Sequence, residues 1–284
     1  MTQDPILWIA SGGLAGFAGW KLWKRLGQKK RRCFSEEASL VLLDLMRDLQ
    51  RHRALSGALI DGQVNFTGDR EHTERRLGQA LYSMQEHYCR SHGVFDSDQW
   101  KAVLYRWETV RQEWRGLEFL PNLFAHSDVI VGLIGIVQTL AEKDQSTLGT
   151  ERAAALGNWP VLIEYFGMMR ALGMHFLRHS RTSQAELIAE NIADYRQQAE
   201  RSLLTLGDSL PSAEILNRSD CLLRQVDRFL ESQGKSWDAQ SYYQEFTSVI
   251  DRWFAITKQT LRTPTPTPEA TLPAPMGESH LPTR

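Results

Sequence analysis

Between Ser35 and Arg262 apolar residues recur three and four positions apart, and the Val/Ile/Thr alternation of strands is scarce. That spacing is the 3.6-residue period of amphipathic helices. Helix starts and breakers divide the stretch into eight. Ser35, followed by Glu36 and Glu37, caps the first helix, and Asp61-Gly62 ends it after Ile60. The second spans about 69–91 and is broken by Gly93. Asp96 or Ser97 caps the third, which carries Trp100, Leu104, Trp107 and Trp114. Pro121 opens the fourth, whose centre, 129–137, is almost wholly apolar. It reads as a buried bundle helix, too short and too closely flanked by polar residues to span a bilayer. After a polar stretch, 142–150, the pattern restarts. Trp159-Pro160 opens the fifth helix, to about His179. The sixth covers 183–206, Pro211 opens the seventh, and Ser236 or Asp238 opens the eighth, ending near Leu261. The expectation is an all-α chain of two tandem four-helix bundles, residues 33–150 and 151–262.

The two halves repeat one anomaly. Steps of four and three residues along the first helix give Leu42, Met46, Leu49, Arg53, Ser56 and Ile60. The matching stripe 117 residues on is Trp159, Ile163, Phe166, Arg170, Gly173 and Leu177. Each stripe is apolar or small except for one arginine at the same place, followed in both cases by Ala-Leu. A guanidinium on a core face cannot shed its proton and must find an anion. Two such forks facing one cleft would suit a small planar oxyanion, with Ser56 and the small residues beside each arginine leaving room for it. The alternative is internal pairing with a core carboxylate, for which Glu74, Glu108, Glu164 and Asp251 are available. Arg51 lies two positions from Arg53, on the opposite side of the helix. Arg70, Arg75 and Arg76, set among Glu71 and Glu74 on the second helix, read as an i, i+4 pattern of surface charges.

The termini add a location. Residues 5–20 carry no charge, and Lys21, Lys24, Arg25, Lys29, Lys30, Arg31 and Arg32 follow, against a single Asp4 before. Residues 1–32 are therefore expected to form a single transmembrane anchor in the inner membrane. The positive-inside rule places the soluble part on the cytoplasmic side. Ser11, Ala15 and Gly19, with Gly12 and Gly16, give the small-residue spacing that permits helix contact and hence a homodimer. Residues 263–284, holding six of the ten prolines, are expected to be an extended, disordered tail.

Charge and composition exclude more than they assign. A formal net charge of −1 gives no field for nucleic acid. The three cysteines match no metal or redox spacing. His175 and His179 have the i, i+4 spacing of a helical metal pair, but the glutamate of an HExxH site is missing, so no metal is expected. No Ser/His/Asp, phosphate-loop or dinucleotide pattern occurs. The chain reads as a non-enzyme without cofactor.

Three segments resemble a known family. Leu49-Gln50-Arg51-His52-Arg53-Ala54-Leu55-Ser56 resembles the first-helix motif of the nitrate- and nitrite-sensing (NIT) domain, LQxERGxS. Arg70-Glu71-His72-Thr73-Glu74 is similar to its second-helix R-x-x-T-D, and 242–251 to its last-helix Y-F-x-x-x-T-x-x-I-D. The motif's Glu is His52 here and its Gly is Ala54, which makes this a divergent member. The resemblance covers roughly residues 35–260. It implies two helical bundles whose first-helix arginines hold the anion, here Arg53 and Arg170, with Arg51 as a further donor. It also implies a sensory role read out by a signalling partner, which in that family can be a kinase, a chemoreceptor region or an RNA-binding antiterminator. A degenerate copy acting as a tethered scaffold without ligand is the alternative.

Overall fold

The structure is a computed structural model that describes residues 34–88, 93–143, 150–179, 183–206 and 212–263. The expected anchor (1–32) and almost all of the expected tail lie outside these residues. The described chain is helical: α1 (34–60), α2 (Thr67–Tyr88), α3 (Asp98–Glu113), α4 (Phe119–Lys143), α5 (Thr150–His179), α6 (Ala185–Thr205), α7 (Ala213–Glu231) and α8 (Ala239–Arg262). No strand occurs among the described residues, so the all-α reading holds.

The helix ends follow local chemistry. Ser97 Oγ accepts from the Trp100 amide at 3.3 Å, Ser212 Oγ from Ile215 at 3.5 Å, and Asp238 Oδ1 from Gln240 and Ser241 at 3.0 and 2.9 Å. Each satisfies an amide that the first turn leaves without an intrahelical partner. α1 ends on Gly62, whose φ of +84° a β-carbon would strain. Gln63 N then bonds Ala58 O at 2.9 Å and Gly62 N bonds Leu59 O at 3.0 Å, the paired closure of a glycine-terminated helix.

One boundary differs from expectation. α5 starts at Thr150 and not at Trp159, so Pro160 sits inside it. The residues before Pro160 are mostly good helix formers, and Ala155 and Leu156 bury their side chains. Proline removes a backbone donor and crowds the preceding turn. One residue beyond the Leu156 carbonyl, which Pro160 leaves without its helical donor, Gln138 of α4 donates through Nε2 to the Gly157 carbonyl at 2.7 Å and ties this turn to α4.

α5 is the hub of the packing. It lies against α4, α6 and α8, while α3 packs on α4, and α7 bridges α6 and α8. α1 runs beside α5 in the same direction: Glu36 meets Arg152, Gln50 and Arg53 meet Glu164, and Asp61 meets His175 and Arg178. α8 runs antiparallel to α1, with Arg47 on Asp251 and Asp44 on Lys258. The buried apolar side chains form one connected cluster. Trp100, Trp107, Trp159 and Trp253 are wholly enclosed in it. Trp159 and Trp253 meet edge to face at 5.7 Å, and Trp253 Nε1 donates to Ser219 Oγ at 3.0 Å. Gly173 does not leave room for a ligand. A β-carbon there would lie 2.2 Å from the Tyr242 ring, whose hydroxyl reaches across to donate to the Met169 carbonyl at 2.9 Å.

By length and composition α4 could cross a membrane, yet most of it is buried in this fold. Its covered side chains include Asn122, His126 and Ser127, and these three bring α4 into the site.

Candidate functional site

The parallel contact of α1 with α5 places the two repeat-matched arginines on one cavity of about 370 Å³. Its wall is mainly Ala54, Leu55, Gly57, Ala58, Phe119, Leu123 and Met174, with Gln50, Arg53, Asn122, Arg170 and Tyr243 supplying polar groups. Gly167 lets α5 close on these side chains: a β-carbon there would fall 2.7 Å from Gln50 Nε2 and 2.9 Å from Arg53 Nη2.

The two guanidiniums have different surroundings. Arg53 is 2% exposed and pairs with Glu164, Nη1 bonding Oε1 and Nη2 reaching Oε2 at 3.4 Å. Glu164 also accepts from Gln50 Nε2 at 3.0 Å and from Ser127 Oγ at 2.9 Å. That carboxylate is saturated with donors from α1 and α4, so Arg53 brings no net charge to the cavity. Arg170 is partly buried and donates to Thr247 Oγ1 at 2.9 Å, with its guanidinium 5.4 Å from the Tyr243 ring. Among the described residues no carboxylate lies within 4 Å of it. The other three carboxylates anticipated as partners are engaged elsewhere: Glu74 with Arg70, Glu108 with Arg111, and Asp251 with Arg47 at 2.8 Å. Burial lowers the Arg170 pKa and the Arg53 charge adds to it, while Tyr243 and the Asp251 and Glu164 carboxylates, each beyond 4 Å, oppose it.

The repeat explains the asymmetry. Arg53 of α1 finds Glu164 of α5. Reversing the roles through the 117-residue offset pairs Arg170 of α5 with position 47 of α1, since 164 − 117 = 47. That position holds Arg47, not an acid, and it turns outward to Asp251. The first arginine has an internal anion; the second was left without one.

Ser56 is buried behind the cavity wall, donating to the Arg53 carbonyl at 3.0 Å and accepting from Asn122 Nδ2 at 3.2 Å. Asn122 lines the cavity, and its Oδ1 is buried with no partner among the described residues. Arg51 is exposed and lines an adjoining, wider surface groove with Arg47, Arg76 and Asp251; Arg170 and Tyr243 line both this groove and the cavity, whereas Arg51 does not reach the cavity.

Sequence reasoning missed a buried polar chain on the far side of α1. Arg70, expected at the surface, is 1% exposed, bonded to Glu74 and stacked 4.3 Å from the Trp114 ring. Its Nη1 donates to His52 Nε2 at 3.3 Å. His52 Nδ1 then lies 2.8 Å from His126 Nε2, and His126 Nδ1 lies 2.7 Å from the Asn122 carbonyl. His52 Nε2 also faces Glu74 Oε2 at 3.6 Å, so the ring lies between the Arg70–Glu74 pair and His126. Burial lowers both histidine pKa values, and for His126 the neighbouring His52 lowers it further. Burial works to raise the Glu74 carboxyl, but the His52 ring and the Arg70 guanidinium outweigh it and hold it at about 2. The available signal was the polar pair Asn122/His126 at i, i+4 on an otherwise apolar α4.

The neutral histidine pair makes stability depend on pH. A histidine whose folded pKa is depressed is stabilised above the unfolded value near 6.5. Below it, the unfolded chain binds protons that the folded chain refuses. Stability therefore falls as pH drops through about 6.5, by up to ~1.4 kcal/mol per pH unit for each proton. Melting temperatures between pH 8 and pH 5 should decline from about pH 6.5, and His126→Gln should flatten the slope. A profile flat over this range would mean that the rings protonate in place.

At the ends of α1 and α5, Asp61 Oδ1 meets His175 Nδ1 at 3.1 Å and His179 Nε2 at 3.4 Å, while Arg178 donates to Oδ2 at 3.0 Å. Burial pushes the Asp61 carboxyl up, but His175 and Arg178 outweigh it and leave it below the usual range. His175 also stacks flat on Phe119 at 3.7 Å. The histidine pair singled out by its spacing thus fastens α5 to the end of α1, and Asp61, His175 and Arg178 border the cavity.

Fold and cavity define an all-helical module with one uncompensated arginine in the wall of a largely apolar chamber. No family model and no curated protein matches the chain. It is similar to a solved structure described as that of the NasR transcription antiterminator. The likeness covers 87% of this chain and 72% of that one, at 15% identity and a TM-score of 0.57. At that identity what is shared is the fold.

Proposed function

We propose that this chain is a membrane-tethered helical sensory module. It binds a monovalent oxyanion, nitrate, nitrite or a similar small anion, at Arg170, and a separate signalling partner reads its occupancy. The observation that carries the reading is the lone guanidinium of Arg170, facing a cavity in a fold that neutralises its twin, Arg53, internally. One net positive charge selects a monoanion, and a planar oxyanion matches the fork of donors. The NIT-like motifs supply nitrate and nitrite as candidates. The fold shared with a protein described as an antiterminator supports a regulatory role over an enzymatic one. Residues 1–32 would hold the module on the cytoplasmic face of the inner membrane. A ligand seated between α1 and α5 would shift their contact, and that displacement is the signal.

The second reading, a tethered scaffold without ligand, draws support from the Arg53–Glu164 pair. Thermal denaturation of the full chain in mild detergent separates the two. At about a hundredfold excess over Kd, nitrate or nitrite should raise the melting temperature by roughly 5–10 °C relative to chloride at equal ionic strength. Sulfate should give no such gain. If no oxyanion stabilises the protein, the scaffold reading stands.

A further inference from the structure

We infer that the cavity takes an organic monoanion, a carboxylate carrying an apolar body of several carbons, in preference to a bare inorganic ion. This rests on the reading that Arg170 is the anion seat, and it names the ligand class of that seat.

The first ground is size. A water molecule's share of liquid volume is about 30 Å³, and a four-atom oxyanion needs little more. The chamber measures about 370 Å³, within the range of roughly 300–1,000 Å³ typical of sites for organic ligands. An inorganic ion alone would leave most of it to water.

The second ground is the wall. Leu55, Ala58, Phe119, Leu123 and Met174 are poor partners for such water, and each methylene laid against them leaves solvent favourably. The polar wall groups are almost all committed: Arg53 and Gln50 to Glu164, and Asn122 Nδ2 to Ser56. Among the described residues, Arg170 is the arginine of this wall with no carboxylate within 4 Å, and one such cation in a largely apolar chamber describes an amphipathic monoanion.

The experiment is a binding series on the full chain in mild detergent, using nitrate, acetate, butyrate and hexanoate, with hexylammonium as a control of the same chain and opposite charge. Affinity should rise about fourfold per methylene from acetate to hexanoate and overtake nitrate. Hexylammonium should not bind. Arg170→Met should abolish the whole series. Ala58→Phe, which fills the chamber, should remove the dependence on chain length. Nitrate binding with equal affinities for acetate and hexanoate would overturn this inference and leave the anion seat intact. Equal binding of hexanoate and hexylammonium would also overturn it, as partition into grease. Failure of every anion to bind would remove the seat itself.

Discussion

Glu164→Gln should cost about 3–5 kcal/mol of stability, the penalty for removing one partner of a buried ion pair. For a helical body of this size that is a fall in melting temperature on the order of 10 °C. The reason is specific to the position. Glu164 binds Arg53 and Gln50 of α1 and Ser127 of α4 at once, so its charge neutralises the buried guanidinium while its oxygens join three helices. Glutamine keeps the shape and loses the charge, leaving Arg53 as an uncompensated cation that is 2% exposed. Adding Arg53→Met should return most of the loss, because both charges are then gone. Nitrate should rescue the single variant more strongly than the parent, since two unpaired guanidiniums would then face the cavity. A Glu164→Gln protein within about 1 kcal/mol of the parent would show that something else neutralises Arg53.

What could be read from the sequence was whatever a single helix carries on its own face. The 3.6-residue period located α1 because Leu42, Met46 and Leu49 fall on one stripe, and Arg53 stood out as the charge on it. Capping chemistry chose between neighbours only when the fold was seen: Ser97 over Asp96, and Asp238 over Ser236. Contacts between helices were not legible. Arg53 and Arg170 hold matched stripe positions and are both followed by Ala-Leu, yet one is paired and the other is not, because the difference lies in what the opposite helix presents, Glu164 against Arg47. Arg70 looked like a surface residue in a run of charges, and only packing on Trp114 buries it. The small residues beside the arginines proved unlike: Gly57 lines the cavity, whereas Gly173 admits Tyr242. The start of α5 was misplaced because Pro160 outweighed the helix formers before it, and the turn ahead of it is tied down by Gln138, a donor from another element.

Methionine at the two matched arginines should therefore give opposite results. Arg53→Met strands the Glu164 carboxylate in the core and should cost about 3–5 kcal/mol. Arg170→Met removes a charge that no acid among the described residues pairs with directly. What it loses is a hydrogen bond to Thr247 and a contact with Tyr243, each worth about 1 kcal/mol or less at a partly exposed site. What it gains is relief from keeping a cation desolvated, together with apolar contact against Met174 and Ala171. The expected outcome in chloride is a protein as stable as the parent or up to about 1 kcal/mol more stable, with its response to nitrate or carboxylates gone. That combination, a function-bearing residue whose removal does not weaken the fold, marks a charge held for a ligand. Denaturant unfolding of both variants with and without anion measures it directly. If Arg170→Met instead lost 2 kcal/mol or more in chloride, the guanidinium would be part of the packing between α5 and α8, and the case for an anion seat at Arg170 would fail with it.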